Sequence, residues 1–139
     1  MNTRSESKSA NSSRPQTRAA SRSYPDPPYQ YSATAHGLVF TAGACPLDAE
    51  GRVVAPGDLE AQAKQTVDNL IAALAATGAG PEDIIKTTIF VATQDRSDLV
   101  RAWAVVSARL GTAPSTLLGV SILGYPNQLV EVEAVAAVD

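Results

Sequence analysis

The C-terminal segment 129–138 constrains the fold more than any other part of the sequence. Its residues alternate as in a β-strand. One side of that strand would carry Val130, Val132, Ala134, Ala136 and Val138. The other side would carry Glu131 and Glu133 together with Leu129 and Val135. Because both sides are at least partly apolar, we expect a strand whose second face also has to be covered by protein.

Two other segments have the apolar spacing of amphipathic helices. The first follows Asp58, a residue suited to cap a helix, and its apolar positions recur at helical spacing as far as Gly78. The second is predicted to be capped by Ser97 and to run to Leu110, with Gly111 at the usual stop position. Each helix can cover part of one face of a sheet.

Strands are predicted at 37–42, 84–92, 116–122 and 129–138, and the run 84–92 is rich in β-branched residues. A further strand without assigned bounds precedes the first helix, and the resulting order β, β, α, β, α, β, β predicts an α+β fold, with one mixed sheet and both helices packed on one face. Two helices cannot cover both faces. The sequence therefore favours a homo-oligomer, in which a second copy buries the remaining face.

The first 28 residues differ in composition from the rest of the chain. Residues 1–28 are rich in Ser, Arg and Pro and have few large apolar residues, so we expect a disordered tail there and a single domain at 29–139. A transit peptide is an alternative, because such peptides are rich in Ser and Arg, but the apolar helical face is missing.

The charges of the two parts are opposite. Residues 1–24 hold five basic residues and one acidic residue; since the whole chain carries −3, residues 25–139 carry −7. An acidic domain disfavours nucleic acid as a partner. No segment approaches the length needed to span a membrane and no secretory signal is present, so we expect a cytoplasmic protein without a membrane partner.

The single cysteine and the single histidine limit the possible chemistry. Cys45 and His36 cannot form an internal disulfide or a zinc site built from several Cys or His ligands. His36 lies in a predicted turn before Gly37, and a Ser-His triad is not supported. Cys45 has no basic residue near it in sequence to lower its pKa, and we interpret it as a small apolar residue.

Glu131 and Glu133 are the candidate catalytic side chains. Residues i and i+2 of a strand share a face, about 6.6 Å apart. Strands are depleted in Glu. The pair could be a solvent-exposed strip. It could also place a carboxylate at an interface cleft, where it would orient or deprotonate a water molecule. The pattern alone leaves both interpretations open.

Several blocks, in order, resemble the Rid family of reactive intermediate deaminases, which is also described as endoribonuclease L-PSP. The blocks are GLVFTAG at 37–43, EAQAKQ at 60–65, IKTTIFV at 85–91 and LVEVEAVA at 129–136, and the resemblance covers about residues 29–139. It implies a chorismate-mutase-like α+β fold and a homotrimer with a ligand cleft between subunits. It also implies cofactor-free hydrolysis of an enamine or imine to a carbonyl compound and ammonia.

The resemblance also implies roles for individual residues. Glu131 corresponds to the glutamate that handles the attacking water. Tyr31 and the backbone amide of Gly43 correspond to groups that line the cleft, with Tyr29 as the alternative tyrosine.

The family's substrate-binding arginine has no counterpart. The resemblance places Ser115 at that position, with Thr116 as a second hydroxyl beside it. Loss of one partner of a buried charge pair costs about 2–5 kcal/mol, so hydrolysis of standard 2-imino acids is not expected. Arg101 replaces a polar residue of the second helix, and it would supply a cation only if its side chain reaches the cleft.

The sequence therefore predicts a hydrolase or deaminase that acts on a small reactive enamine, imine or related electrophile. The alternative is a trimeric protein that binds a small molecule without turnover. Ribonuclease activity is disfavoured by the charge of −7 on residues 25–139 and by the absence of a histidine pair.

Overall fold

The computed structural model of this 139-residue protein describes residues 16–18 and 29–139. Its elements, in chain order, are β1 (Gln16–Arg18), β2 (Ser32–Ala35), β3 (Leu38–Thr41), α1 (Leu59–Ala75), a 3-10 turn (Pro81–Asp83), β4 (Ile84–Ala92), α2 (Arg96–Leu110), β5 (Ser115–Val120) and β6 (Val130–Ala137).

The strands form one mixed sheet in the order β1-β2-β3-β6-β4-β5. Strands β4 and β5 are parallel, as expected for two strands connected by a helix, and the other neighbours are antiparallel. Both helices pack on the same side of this sheet. The predicted α+β class is confirmed.

The core lies between the helices and the sheet. Strand β6 contributes Val130, Val132, Ala134 and Ala136, all buried, whereas the residues between them are at least partly exposed. Leu70 and Leu74 of α1 and Val106 of α2 complete this layer. The alternation predicted for 129–138 is therefore confirmed, and it assigns one set of side chains to the core.

The other side of the sheet, here called the open face, carries no helix. Phe40 pairs across strands with Val135, and Phe90 lies between Glu131 and Leu118. Phe40 is 53% exposed and Leu118 is 41% exposed in the single chain. The open face is thus partly apolar, as the pattern of the last strand predicts.

The helix boundaries agree with the sequence except at one cap. Asp58 caps α1 as predicted, and its carboxylate accepts a hydrogen bond from the Ala61 amide. The predicted Ser97 cap of α2 is wrong, because Asp95 occupies that position with extended backbone and accepts from the Ser97 amide at 2.9 Å. Asp and Ser both favour caps, and the prediction from the sequence named Ser97 alone.

Most of the predicted tail lies outside the described residues. The part of the tail that is described is strand β1, and its three residues pair antiparallel with β2. An edge strand is held chiefly by backbone hydrogen bonds to its neighbour, so a segment without large apolar side chains can still pair with a sheet. The disordered tail at 1–28 and the single domain at 29–139 stay predictions. Within the described part of the chain, no helix has the length and apolar character needed to cross a membrane.

The corrected cap can be tested by substitution. We expect Asp95→Ala to lower the midpoint of thermal unfolding by roughly 5 °C, because the first turn of α2 loses the acceptor for the Ser97 amide. Ser97→Ala is the matched control and should change the midpoint much less. Differential scanning calorimetry decides between them, and a larger loss for Ser97→Ala would restore the cap predicted from sequence.

Candidate active site

The site is built around a β-bulge between β3 and β6. Phe40 pairs with Val135 and Ala44 pairs with Val132, so one more residue lies on the β3 side than on the β6 side. Both backbone hydrogen bonds of the Ala44–Val132 bridge form, at 2.7 and 3.1 Å. The Thr41 hydroxyl accepts a hydrogen bond from the Ala134 amide at 3.0 Å, at the point where the regular backbone pairing of β3 and β6 is interrupted. The bulge brings residues 42–45 against Glu131.

Gly43 makes room for the Glu131 side chain. A Cβ atom built on Gly43 would lie 2.6 Å from Cδ and 2.7 Å from Cγ of Glu131, and closer still to Oε2. No real Cβ could occupy that place without displacing the carboxylate. The glycine at this position is therefore required by the close approach of the carboxylate to the backbone.

The other carboxylate oxygen of Glu131 has two hydrogen-bond donors. The Gln128 amide Nε2 lies 3.0 Å from Oε1, and the Cys45 Sγ lies 3.4 Å from the same oxygen. Gln128 is 4% exposed. Oε1 is thus held from two sides, by the loop before β6 and by the chain that follows the bulge.

The environment of Cys45 keeps its thiol protonated. Burial, followed by the negative charge of Glu131 and the hydrogen bond to it, raises the pKa of Cys45 from 9.0 to about 12. At neutral pH the group is therefore a thiol that donates a hydrogen bond, and not a nucleophilic thiolate.

Tyr31 lies beside the chain segment that contains Gly43. The Tyr31 carbonyl accepts the Ala42 amide at 2.8 Å, which places this tyrosine beside the residue preceding Gly43. Tyr29, the alternative from the sequence, packs edge-on against Tyr31 with ring centroids 6.5 Å apart. Both tyrosines thus lie at the same end of the sheet.

Ser115 and Thr116 lie on opposite sides of β5. The Ser115 hydroxyl accepts from Thr87 Oγ1 at 2.6 Å, and Thr87 belongs to the helix-covered side of β4. Thr116 has the opposite orientation, on the open face with Glu131, and its hydroxyl accepts from Lys86 Nζ at 2.6 Å. Alternation along the strand thus puts Thr116, and not Ser115, on the face of Glu131 within the protomer. A ligand contact of either hydroxyl stays a prediction.

Arg101 is not beside Glu131 in the protomer. Its guanidinium pairs with Glu60 on α1 and with Asp98 one turn earlier on α2. These contacts lie in the helix layer, across the sheet from the open face. The sequence-based possibility that Arg101 supplies a cation to the site is not supported, because its charge is already compensated between the two helices.

Sequence reasoning missed two residues of the site. The sequence predicts Cys45 to be a plain small apolar residue, and it gives no reason to single out Gln128. Gln128 lies in an irregular loop whose path no periodic pattern predicts. The only available signal was the position of Cys45 two residues after the Gly43 implied by the resemblance. Among the described residues, no group of three or more His, Cys, Asp or Glu side chains could hold a metal ion.

The comparisons with known proteins agree with this fold. The family model described as endoribonuclease L-PSP matches residues 20–138. A RutC family protein of Synechocystis is 35% identical over 113 residues, which are 78% of this chain and 85% of that protein. The 2-iminobutanoate/2-iminopropanoate deaminase of Escherichia coli K12 is 31% identical over 113 residues, covering 78% of this chain and 86% of the deaminase.

Solved structures show the same architecture. The E. coli YjgF gene product superimposes with a TM-score of 0.71 at 30% identity, covering 86% of this chain and 97% of that one. YyfA of Yersinia pestis, a Rid family protein, gives a TM-score of 0.74 at 28% identity, covering 88% and 98%. A small α+β domain with a helix-free sheet face is thus the shared class. Within that class, the chain belongs to the Rid family, also described as endoribonuclease L-PSP.

The Cys45 thiol should make the free energy of unfolding depend on pH in the alkaline range. Between pH 9.0 and about 12 the unfolded chain loses the Cys45 proton while the folded chain retains it. The free energy of unfolding should therefore fall as pH rises through this range, by up to about 4 kcal/mol from this one group. Chemical denaturation at a series of pH values measures the slope.

Cys45→Ala and Cys45→Ser are the controls, because neither side chain titrates in this range. Subtracting their slopes removes the contribution of tyrosines and lysines. If the free energy of unfolding changed with pH equally in the wild type and both variants, the result would contradict a buried Cys45 thiol bonded to Glu131.

Proposed function

We propose that this protein is a cofactor-free Rid-type hydrolase that deaminates small reactive imines or enamines, with Glu131 as general base. The observation that carries the proposal is the arrangement of the Glu131 carboxylate. Oε1 has two donors from the protein, while Oε2 lies over Gly43. A carboxylate fixed in this way suits proton transfer with a water molecule. Relatives named as imine deaminases support the reaction class.

The reaction needs only one side chain to move a proton. The water oxygen bonds to the imine carbon while Glu131 takes a proton from that water, and the C=N electron pair moves to nitrogen. Glu131 then gives this proton to nitrogen, which forms a neutral carbinolamine. Glu131 next takes the carbinolamine hydroxyl proton and passes it to nitrogen, so that the C–N bond breaks and ammonia leaves as the carbonyl forms. An enamine enters the same path after protonation at carbon gives the iminium. Water and imine are consumed and carbonyl and ammonia are formed, without a redox step.

The substrate is expected to be uncharged or anchored differently from a 2-imino acid. Neither Ser115 nor Thr116 provides the cation that the family resemblance implies for binding a substrate carboxylate. Lys86 also faces the open side, but it lies four residues along β4 from Phe90, the cross-strand neighbour of Glu131. That separation is about 13 Å along the strand, and the Lys86 ammonium donates to the Thr116 hydroxyl at 2.6 Å, so Lys86 does not occupy the position of the family arginine.

The proposal includes a homotrimer with clefts between subunits. The exposed apolar side chains of the open face, Phe40 and Leu118 among them, support burial by further copies of the chain. Glu131 lies on this same face, so assembly would close the site and exclude bulk water. A cytoplasmic location stays a prediction from the sequence. Ribonuclease activity is not proposed, since the acidic domain would repel a polyanion.

Activity assays with two neighbouring glutamates test the role of Glu131. We expect Glu131→Gln to lower the rate of ammonia release from neutral imines or enamines at least about 100-fold, because the amide cannot accept the proton of water. Glu133→Gln is the matched control on the same face of the same strand and should retain near wild-type activity. The substrate panel should also contain 2-iminobutanoate, which we expect to be a poorer substrate.

Equal loss in the two glutamine variants would contradict the assignment to Glu131. A wild-type protein that binds small carbonyl compounds but turns over no member of the panel would instead support a binding protein without catalysis.

Light scattering tests the assembly. The wild type should have the mass of a trimer, and Phe40→Lys should dissociate it, because a charge would have to be buried without a partner. Val100→Lys is the control, since Val100 is 68% exposed on α2 and lies away from the open face. A monomeric wild type, or a trimer unaffected by Phe40→Lys, would contradict burial of the open face by other copies.

A further inference from the structure

We infer that Cys45 and Gln128 are positioning residues that hold one oxygen of the Glu131 carboxylate and leave the other oxygen, Oε2, to act on water. This inference rests on the proposed function of Glu131. The inference specifies which oxygen of Glu131 reacts. It also names the two side chains that make the two oxygens unequal, neither of which was expected from the sequence.

The hydrogen bonds of Gln128 fix which end of its amide faces Glu131. Gln128 Oε1 lies 3.1 Å from the Tyr125 backbone nitrogen, which can only donate. The amide oxygen must therefore point at Tyr125. The NH2 group then points at the Val130 carbonyl at 3.1 Å and at Glu131 Oε1 at 3.0 Å. Both of its hydrogens are used, so Gln128 is a donor to Glu131 in a single orientation.

Cys45 is held in place from helix α1. Asn69 Nδ2 donates to the Cys45 carbonyl at 2.7 Å and to the Leu47 carbonyl at 3.0 Å. Gln65 Nε2 donates in turn to Asn69 Oδ1 at 3.0 Å, which fixes the orientation of the Asn69 amide. The backbone of Cys45 is thus anchored independently of its side chain. The thiol reaches Glu131 Oε1 from this anchored position.

The two donors both bond to Oε1, so only one of the two carboxylate oxygens is held by the protein. An ionised carboxylate oxygen has two lone pairs, and Oε1 accepts one hydrogen bond from an amide and one from a thiol. Oε2 has neither donor and lies over the Cα of Gly43, where no side chain intervenes. Free rotation of the carboxylate would exchange the oxygens, and the paired donors oppose it. Preorganisation of this kind favours the transition state over the ground state.

Infrared spectroscopy can test the thiol contact without any substrate. The chain contains a single cysteine, so its S–H stretching band reports Cys45 alone. In the wild type the band should lie at the low frequency of a thiol bonded to a carboxylate. Removing the acceptor in Glu131→Ala should shift it to higher frequency, while Glu133→Ala should leave it unchanged. A band that does not move in Glu131→Ala overturns the contact.

Kinetics test the consequence for catalysis. We expect Cys45→Ala to lower kcat about fivefold with KM nearly unchanged, because a thiol is a weak donor, and Cys45→Ser to restore most of the loss. Gln128→Leu should lower kcat by about 10-fold or more, again without a matching change in KM, since it removes an amide donor to a charged group. Wild-type kcat in Cys45→Ala and Gln128→Leu overturns the inference, as does a loss in Cys45→Ala that serine fails to reduce.

Failure of the inference can be distinguished from failure of the proposed function. If Glu131→Gln abolishes turnover while the two positioning variants retain wild-type kcat, the reaction stands and the inference falls. If the wild type turns over no imine or enamine, the proposed function falls, and the infrared band still decides whether Cys45 holds Glu131.

Discussion

The packing of one face of β6 against the helices determines both the core and the site. Val130, Val132 and Ala134 are buried beneath the helices, and this burial fixes the register of the strand. A slip of one residue would turn Glu131 into the core and expose the valines, so it is strongly disfavoured. The position of the carboxylate on the open face is therefore a direct consequence of core packing, since β6 lies between β3 and β4 in the sheet.

The bulge converts that position into a site. A regular ladder would continue β3 alongside β6 and place a side chain next to Glu131. The additional residue at 41–43 shifts the register by one, so that Cys45 lies opposite Glu131 with its thiol toward the carboxylate, and Gly43 lies diagonally across from it. The burial of this thiol and its high pKa follow from the same geometry. One irregularity in a hydrogen-bonded ladder thus explains the glycine, the thiol contact and the accessible carboxylate oxygen.

Sequence patterns predicted the features that depend on periodicity. Local spacing determines the bounds of β4, the Asp58 cap and the alternation that separates Glu131 from the core. The structure agrees with the prediction for all three. Other features depend on choices that spacing leaves open. Asp95 and Ser97 are both good caps. Ser115 and Thr116 are adjacent, and only the strand register shows that Thr116 shares the face of Glu131.

Sequence patterns did not predict the contacts that loops make. Gln128 meets Glu131 because the loop before β6 folds back through its own side-chain hydrogen bonds. Arg101 could be placed on a helix, but its partner Glu60 lies 41 residues away on the other helix, and only the packing of α1 against α2 brings them together. The family resemblance implies a site at Glu131 and Gly43, which the structure places against each other, whereas the contacts of Gln128 and Arg101 depend on how loops and helices pack.

A crystal structure of the assembled protein with a small neutral ketone bound as a product analogue would test the role of Glu131 most directly. We predict that the carbonyl carbon lies next to Glu131 Oε2, either within about 3.5 Å or bridged by one water molecule. Oε1 should remain bonded to Gln128 and Cys45. A ketone bound away from Glu131, or held on the Oε1 side with Gln128 displaced, would contradict the proposed site.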